Sequence, residues 1–415
     1  MNKVKLIDIC DDLSDGLHAA PVFNPQGEYL FVNAINLENG YIIDTGDGKR
    51  ADYSEYVKYR IDLNDRTILY SIDGTIGKIA RYRGEKVILG KGACYIKLKE
   101  TVNADYIYYL LQSSIFQAYL KSMTTGSTIH HISLETMRNF SFALPDRVIQ
   151  DCIAKVLLVI DQKIDLNTRI CTELESMART LYDYWFVQFD FPDENGKPYR
   201  SSGGEMMWCQ ELGREVPKGW KLGTIGDLGE VVSGATPSTT EDSYYTDSGI
   251  AWITPNDLSN NGQNMFIAHG ERDITEAGLQ SCSSVLMPEG SVLMSSRAPI
   301  GYLAIAANDA CTNQGFKSII CNKGFLSLYV YYTLKRNVDG IARQGVGTTF
   351  KEVSREALTR YPVLLPPQCI AERFEYLLQP VGKARLKCEQ EASELVHLRD
   401  WLLPMLMNGQ AKVVL

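Results

Sequence analysis

The sequence predicts an α+β chain built twice: two similar globules of short strands and helices, each leading into a long helix of coiled-coil type. Three observations predict it. A heptad series of apolar residues runs from 149 to about 188, a second follows 221 residues later, and turn and cap residues upstream of both share that offset.

Residues 1 to about 147 alternate β-type runs with turns. Tyr29-Leu-Phe-Val32, Thr67-Ile-Leu-Tyr70 and Lys86-Val-Ile-Leu89 are separated by Gly, Asn and Asp, including Asn39-Gly40 and Asp73-Gly74. Helices are expected at about 103 to 121 and 133 to 138, and Pro145 leads into the first long helix. Its series is Ile149, Ile153, Val156, Ile160, polar Lys163 and Asn167, then Ile170, Leu174, Met177, Leu181 and Tyr184. Steps of four and three make this a heptad seam, and about 40 residues at ~1.5 Å each span ~60 Å. Alone, such a helix leaves its stripe in water, so it needs a partner.

The connector Phe189 to Pro217 carries Asn195-Gly196, Gly203-Gly204 and three prolines, an ordered or partly ordered link. A second α+β globule runs from 219 to about 366. The second seam is Ile370, Phe374, Leu377, Val381, Ala384, Cys388, Glu391, Leu395, Leu398, Leu402 and Met405. Just upstream, Gly126-Ser127-Thr128 maps to Gly347-Thr348-Thr349, Ser133 and Glu135 to Ser354 and Glu356, and Leu144-Pro145 to Leu365-Pro366. Unrelated stripes would not carry these residues at one offset, so the chain is an internal duplication. Elsewhere the offset drifts: Lys5-Leu6 and Ile9 align with Lys221-Leu222 and Ile225, Phe31-Val32, Asn36 and Leu37 with Trp252-Ile253, Asp257 and Leu258, and Ile76-Gly77 with Ile300-Gly301. Loop insertions in a diverged copy produce such drift. The expected divisions are 1–147, globule; 148–190, helix; 191–218, connector; 219–367, globule; 368–409, helix; 410–415, tail. Two such copies tend to pack about a pseudo-two-fold axis, with the helices antiparallel and the globules at opposite ends of a rod.

At 415 residues the chain exceeds one ordinary core, and 45% apolar with 22% charged residues excludes global disorder. The longest aliphatic run, Val156 to Ile160, is too short for a bilayer, and the acidic N-terminus does not suit a signal peptide, so a cytoplasmic protein without membrane partners is expected. Ten scattered cysteines without a Cys-x-x-Cys pair, and five histidines without ligand spacing, argue against structural zinc or a disulfide framework. Net charge is −8, yet its distribution is uneven. Residues 49 to 99 hold twelve Lys/Arg against six Asp/Glu and 297 to 360 nine against four, whereas 221 to 296 hold two against ten. Basic stretches at matching places in both copies suit a phosphate backbone, although a charge run is also what any solvated face looks like.

The candidates for DNA contact are Lys78, Arg81, Arg83 and Lys91 in the first globule and Arg297, Gln314 and Lys317 in the second. Arg297 and Gln314 suit guanine and adenine edges, because planar side chains can bond two atoms of one base, and the lysines suit phosphates. The glycine-flanked hydroxyls Ser127-Thr128 and Thr348-Thr349, with Lys351 nearby, suit close phosphate approach, or simply begin a helix. If each globule reads its own bases, the target is asymmetric and bipartite.

The architecture, the stretches SGATPST (233 to 239), WITPNDLS (252 to 259), SSRAPIGYLAIA (295 to 306), TNQGFKSI (312 to 319) and GVGTTF (345 to 350), and the connector FDFPDENGKPYRSSGG together resemble the specificity subunit of type I restriction–modification systems. The resemblance covers essentially the whole chain. It implies two target-recognition domains joined by antiparallel repeat helices, in a subunit that chooses a double-stranded DNA site, docks two methyltransferase subunits and is joined by a restriction and translocase subunit. The first globule departs from the pattern, with Gly90-Lys91-Gly92-Ala93-Cys94-Tyr95 where the second has Asn313-Gln314-Gly315-Phe316-Lys317.

Catalytic motifs are missing. No Asn/Asp-Pro-Pro-aromatic tetrapeptide and no Gly-x4-Gly-Lys-Ser/Thr loop occurs, so S-adenosylmethionine, ATP and magnesium are expected on partner subunits and no cofactor on this chain. Asp146, Asp161 and Lys163 have the spacing of a metal-dependent nuclease, but Lys163 lies on the seam, and the positions matching Asp161 and Lys163 in the second copy are Gly382 and Ala384. Three readings follow: a non-catalytic DNA-recognition and scaffold subunit, a protein scaffold without direct DNA contact, and a nuclease.

Overall fold

The computed structural model describes residues 2–123, 131–347 and 351–411. Its fold is mixed α and β, and it divides into two compact units, Met1–Ile164 with Glu394–Leu415, and Asp165–Ser393. The divisions fall inside the two long helices, Arg147–Tyr182 and Gln368–Met407, so each helix contributes to both units. No helix among the described residues is long and apolar enough to cross a membrane. All ten cysteines are free, and Cys10, Cys94 and Cys311 are buried.

In the first unit an antiparallel sheet runs in the order Cys10–Asp15, Ala93–Leu98, Thr67–Ser71, Ile79–Arg81. Thr67–Ser71 is buried along its whole length, so Ile68, Leu69 and Tyr70 follow one another without polar alternation. A second sheet sets Tyr29–Val32 parallel to Val87–Leu89, and Asn2–Lys5 pairs with Ser141–Leu144. The segment expected as one helix at 103 to 121 is two, Ala104–Leu110 and Ser114–Ser122. Tyr106, Leu110 and Phe116 from these helices share a core with Ile153, Ala154 and Leu157 of the first long helix and Leu406 of the second.

The second unit repeats this plan. Its sheet runs Glu230–Ser233, Lys317–Ile320, Val292–Ser296, Ile300–Ala306, Phe266–Ile267, with Val292–Ser296 buried throughout. Ala251–Ile253 lies parallel to Ala310–Thr312, and Lys221–Thr224 pairs with Pro362–Leu365. Its core is aromatic: Phe374 packs against Tyr182, Trp185, Phe186 and Tyr329 at centroid distances of 5.9, 5.8, 4.9 and 6.4 Å. The connector is ordered, with the Asp190 carboxylate accepting from the Ser201 backbone N–H and hydroxyl, and a hairpin of Met206–Cys209 and Arg214–Pro217 beyond it.

Strand registers test the duplication residue by residue. Tyr70 faces Ile79 where Met294 faces Leu303, and Gly77 and Gly301 both take the left-handed conformation that glycine favours, with φ of +95° and +100°. Asn36 and Asp257 both return a side-chain oxygen to a cap N–H, that of Asn33 and of Thr254. Ser133 and Ser354 both cap helices. One alignment is corrected. Asn2 faces Leu144 where Lys221 faces Leu365, and Asp8 accepts from the Lys5 N–H where Asp227 accepts from the Thr224 N–H. Lys5 therefore matches Thr224 and Leu6 matches Ile225, so the shared Lys-Leu dipeptide is a coincidence of residue type and the cap with its acid three residues on is the real match.

The helix pair is antiparallel. Within the second unit Asn167 Nδ2 donates to Glu391 Oε2 at 2.9 Å, and Glu175, further along the first helix, meets Arg385, further back on the second. The seam differs from the expected one at alternate positions. Ala178 and Leu378 are buried, while Met177 is 61% exposed and Leu377 50% exposed; Ile149 and Leu398 also face outward. Asn167, on the expected track, is 1% exposed.

Candidate nucleic-acid interface

In each unit three loops converge at the end of the main sheet. In the second unit they are the bend after Val292–Ser296, carrying Arg297, the loop before Lys317–Ile320, carrying Gln314, and residues 351 to 353, beginning with Lys351. Backbone pairing ties them together: Arg297 bridges Glu352, Ser296 N–H donates to the Gly315 carbonyl at 2.7 Å, and Val353 N–H to the Ser296 carbonyl at 3.0 Å. Gln314 is exposed, and the Thr236 hydroxyl donates to its Oε1, which orients the amide plane. Arg297 is half-buried and Lys351 exposed. Lys317 lies deeper than a phosphate-holding residue would: it is 8% exposed, and its ammonium pairs with Glu352 at 3.2 Å.

The first unit builds the same junction from different side chains. Asp73 bridges His131, Ile72 N–H donates to the Gly92 carbonyl at 3.1 Å, and Ile132 N–H to the Ile72 carbonyl at 2.8 Å. Leu17 N–H reaches the Leu89 carbonyl where Ala235 N–H reaches that of Thr312, and Gly90 N–H reaches Val32 where Asn313 N–H reaches Ile253. These matches set His18 against Thr236, Asp73 against Arg297, Lys91 against Gln314 and His131 against Glu352. Sequence reasoning missed Asp73, His131, His18, Thr236 and Glu352. Their signal was the set of local offsets, which differ from loop to loop.

Lys91 is exposed at this junction, and Lys78 is half-buried, its N–H donating to Ser71 Oγ as Tyr302 N–H donates to Ser295 Oγ. Arg81 and Arg83 lie beyond it. The Arg81 guanidinium stacks 3.4 Å from the Tyr108 ring centre and donates to Asp105 at 2.7 Å, a structural role that occupies its planar face. Arg83 is exposed, donates to the Gly40 carbonyl at 2.7 Å and lies over Tyr41. Ser127, Thr128, Thr348 and Thr349 lie outside the described residues.

The nuclease arrangement does not form. Asp161 Oδ2 accepts from the Tyr109 hydroxyl at 2.5 Å and Oδ1 from Arg399 at 3.1 Å, so this carboxylate joins a globule helix to the helix pair. The second unit has a parallel arrangement, in which Glu175 accepts from Tyr332, Lys335 and Arg385. Burial raises the Glu175 carboxyl, but Lys335, Arg385 and the Tyr332 hydroxyl outweigh it and hold it below its ordinary value. Among the described residues no three His, Cys, Asp or Glu side chains are grouped to hold a metal ion.

A family model described as "Type I restriction modification DNA specificity domain" matches residues 1–176 and 217–385. Among curated proteins, the sequence is 42% identical over 198 residues to the type I restriction enzyme MjaIX specificity subunit of Methanocaldococcus jannaschii, covering 46% of this chain and 45% of that protein. It is 24% identical to the type I restriction enzyme HindI specificity subunit of Haemophilus influenzae, over 96% of this chain and 98% of that one. Among solved structures, the S subunit of a type I restriction–modification system from M. genitalium aligns over 98% of this chain and 95% of its own, with a TM-score of 0.60 at 16% identity. At that identity the likeness speaks for the fold.

Proposed function

Since the chain belongs to the type I restriction–modification DNA specificity family, we propose that it is the sequence-reading, non-catalytic subunit of such a complex, and that it recognises an asymmetric, bipartite duplex site. One observation carries the reading: the same three-loop junction is built twice on unlike side chains, Arg297, Gln314 and Glu352 in one unit, Asp73, Lys91 and His131 in the other. A shared backbone frame with exchanged side chains is what two readers of different bases require. Lys91 and Lys351 hold phosphates, and Arg297 and Gln314 address base edges. Two methyltransferase subunits and a restriction and translocase subunit dock on the chain and bring S-adenosylmethionine, ATP and magnesium with them.

The test is duplex binding by the full chain across a salt series. Phosphate contacts make affinity fall steeply with salt. Lys351→Ala lowers affinity on all sequences alike and flattens the salt slope by about one, whereas Arg297→Ala relaxes preference at one base pair. Duplex binding no tighter at low salt than at high would instead favour a protein scaffold whose partners alone touch DNA.

A further inference from the structure

Resting on the DNA-reading proposal, we infer that Asp73 is a base-reading residue of the first unit, the counterpart of Arg297, and that it accepts a hydrogen bond from the exocyclic amino group of a cytosine. Asp73 follows the central strand Thr67–Ser71 as Arg297 follows Val292–Ser296, and each bridges the residue that precedes Ile132 or Val353. The flanking frame is equivalent bond for bond: Ile72 to Gly92 and Ile132 to Ile72 in one unit, Ser296 to Gly315 and Val353 to Ser296 in the other. Past the bend, Gly77 and Gly301 share the same left-handed turn. The backbone therefore presents position 73 to its junction as it presents position 297.

The side chains differ in charge. Where a backbone bridge sets Arg297 opposite Glu352 in the second unit, the matching bridge sets Asp73 opposite His131 in the first. A carboxylate at a DNA-facing junction is repelled by phosphate, so a base edge that donates is what it can bind, and the amino group of cytosine in the major groove is the standard match. Asp73 is prepared for it. Its Oδ1 accepts from the Gly74 N–H at 3.1 Å, which fixes the carboxylate plane. Exposed Lys91 on the neighbouring loop offsets its repulsion from the backbone. Equivalent positions thus read opposite partners of a base pair, guanine by Arg297 and cytosine by Asp73.

Cells carrying the intact system with wild-type, Asp73→Asn, Asp73→Ala or Arg297→Ala chains are compared by methylation-sensitive sequencing. Asparagine keeps the turn, because its side-chain oxygen still accepts from Gly74, and it shifts one base pair of one half-site from cytosine toward adenine, since an amide both accepts and donates. Asp73→Ala relaxes the same position by about tenfold or more, and the other half-site stays as it was. An unchanged motif in both Asp73 variants, with Arg297→Ala still altering its own position, overturns the role of Asp73 and leaves DNA reading standing. Unaltered motifs in all three variants overturn the base-reading assignment itself. Should modification fail in an Asp73 variant, the full chain is titrated with duplexes varied base by base at that half-site: a lost preference for cytosine supports the role of Asp73, and a retained one overturns it.

Discussion

Removing Arg385 isolates the electrostatic part of the second unit's stability. Its side chain is 3% exposed and its three guanidinium nitrogens are all engaged, with Glu175, with Glu389 at 2.6 Å and with the Gln263 carbonyl at 2.6 Å. In Arg385→Ala the Glu389 carboxylate stays inside without a cation, and Glu175 keeps only that of Lys335. Breaking a buried pair costs about 3–5 kcal/mol. Each acid keeps other donors, Tyr332 and Lys335 for Glu175, the Met265 and Phe266 N–H groups for Glu389, which places the loss near ~3 kcal/mol. For a unit the size of Asp165–Ser393 that is a fall of about 6–12 °C in melting midpoint. Intrinsic fluorescence reads it, because Trp185, Trp208, Trp220 and Trp252 lie in this unit and Trp401 in the other. The Glu175 carboxyl is held low in the folded protein, so its contribution is present above its ordinary value of 4.5 and is lost as pH falls through the folded value. The gap between wild type and variant should narrow on acidification below about 4.5. A midpoint within about 2 °C of wild type at neutral pH would show that Arg385 does not hold these acids in place.

Two further outcomes are expected. Phe374→Ala empties the centre of the aromatic core and costs about 3–5 kcal/mol in urea unfolding, with the midpoint concentration falling accordingly. Burial raises the Glu375 carboxyl above 4.5, against the Tyr329 and Leu328 N–H groups that lower it, so its contribution is full below 4.5 and is lost as pH rises through the folded value. Glu375→Gln should therefore raise the melting midpoint at pH 7 and leave it near wild type at pH 4 in a pH series.

The duplication, the strand runs and the helix pair were legible because period and offset survive divergence in segments whose packing is shared. The seam slipped where apolar residues occupy two adjacent tracks. Hydrophobicity favours Met177 and Leu377, but it is the next residue in each case, Ala178 and Leu378, that is buried. Arg385 was hidden because nothing local distinguishes an interior arginine from a surface one; its burial depends on acids at positions 175 and 389. Around the candidate interface, Arg297 and Gln314 stood out by residue type. Asp73 and His131 were not, because their counterparts sit at unequal offsets and only the backbone bridges align them. Lys317 and Arg81 read as surface charge, although Glu352 and the pair of Tyr108 and Asp105 hold them inside.

The two clasps that hold tyrosines against the helix pair draw both acids, Asp161 and Glu175, from the earlier helix and both arginines, Arg399 and Arg385, from the later one. A duplication that had stayed symmetrical would have swapped them. A half-length chain ending after the first helix, associating with a second copy of itself, would set Ala178 where Arg399 now stands and strand Asp161 without a cation. Each half therefore supplies what the other lacks, acids from the earlier helix and arginines from the later one.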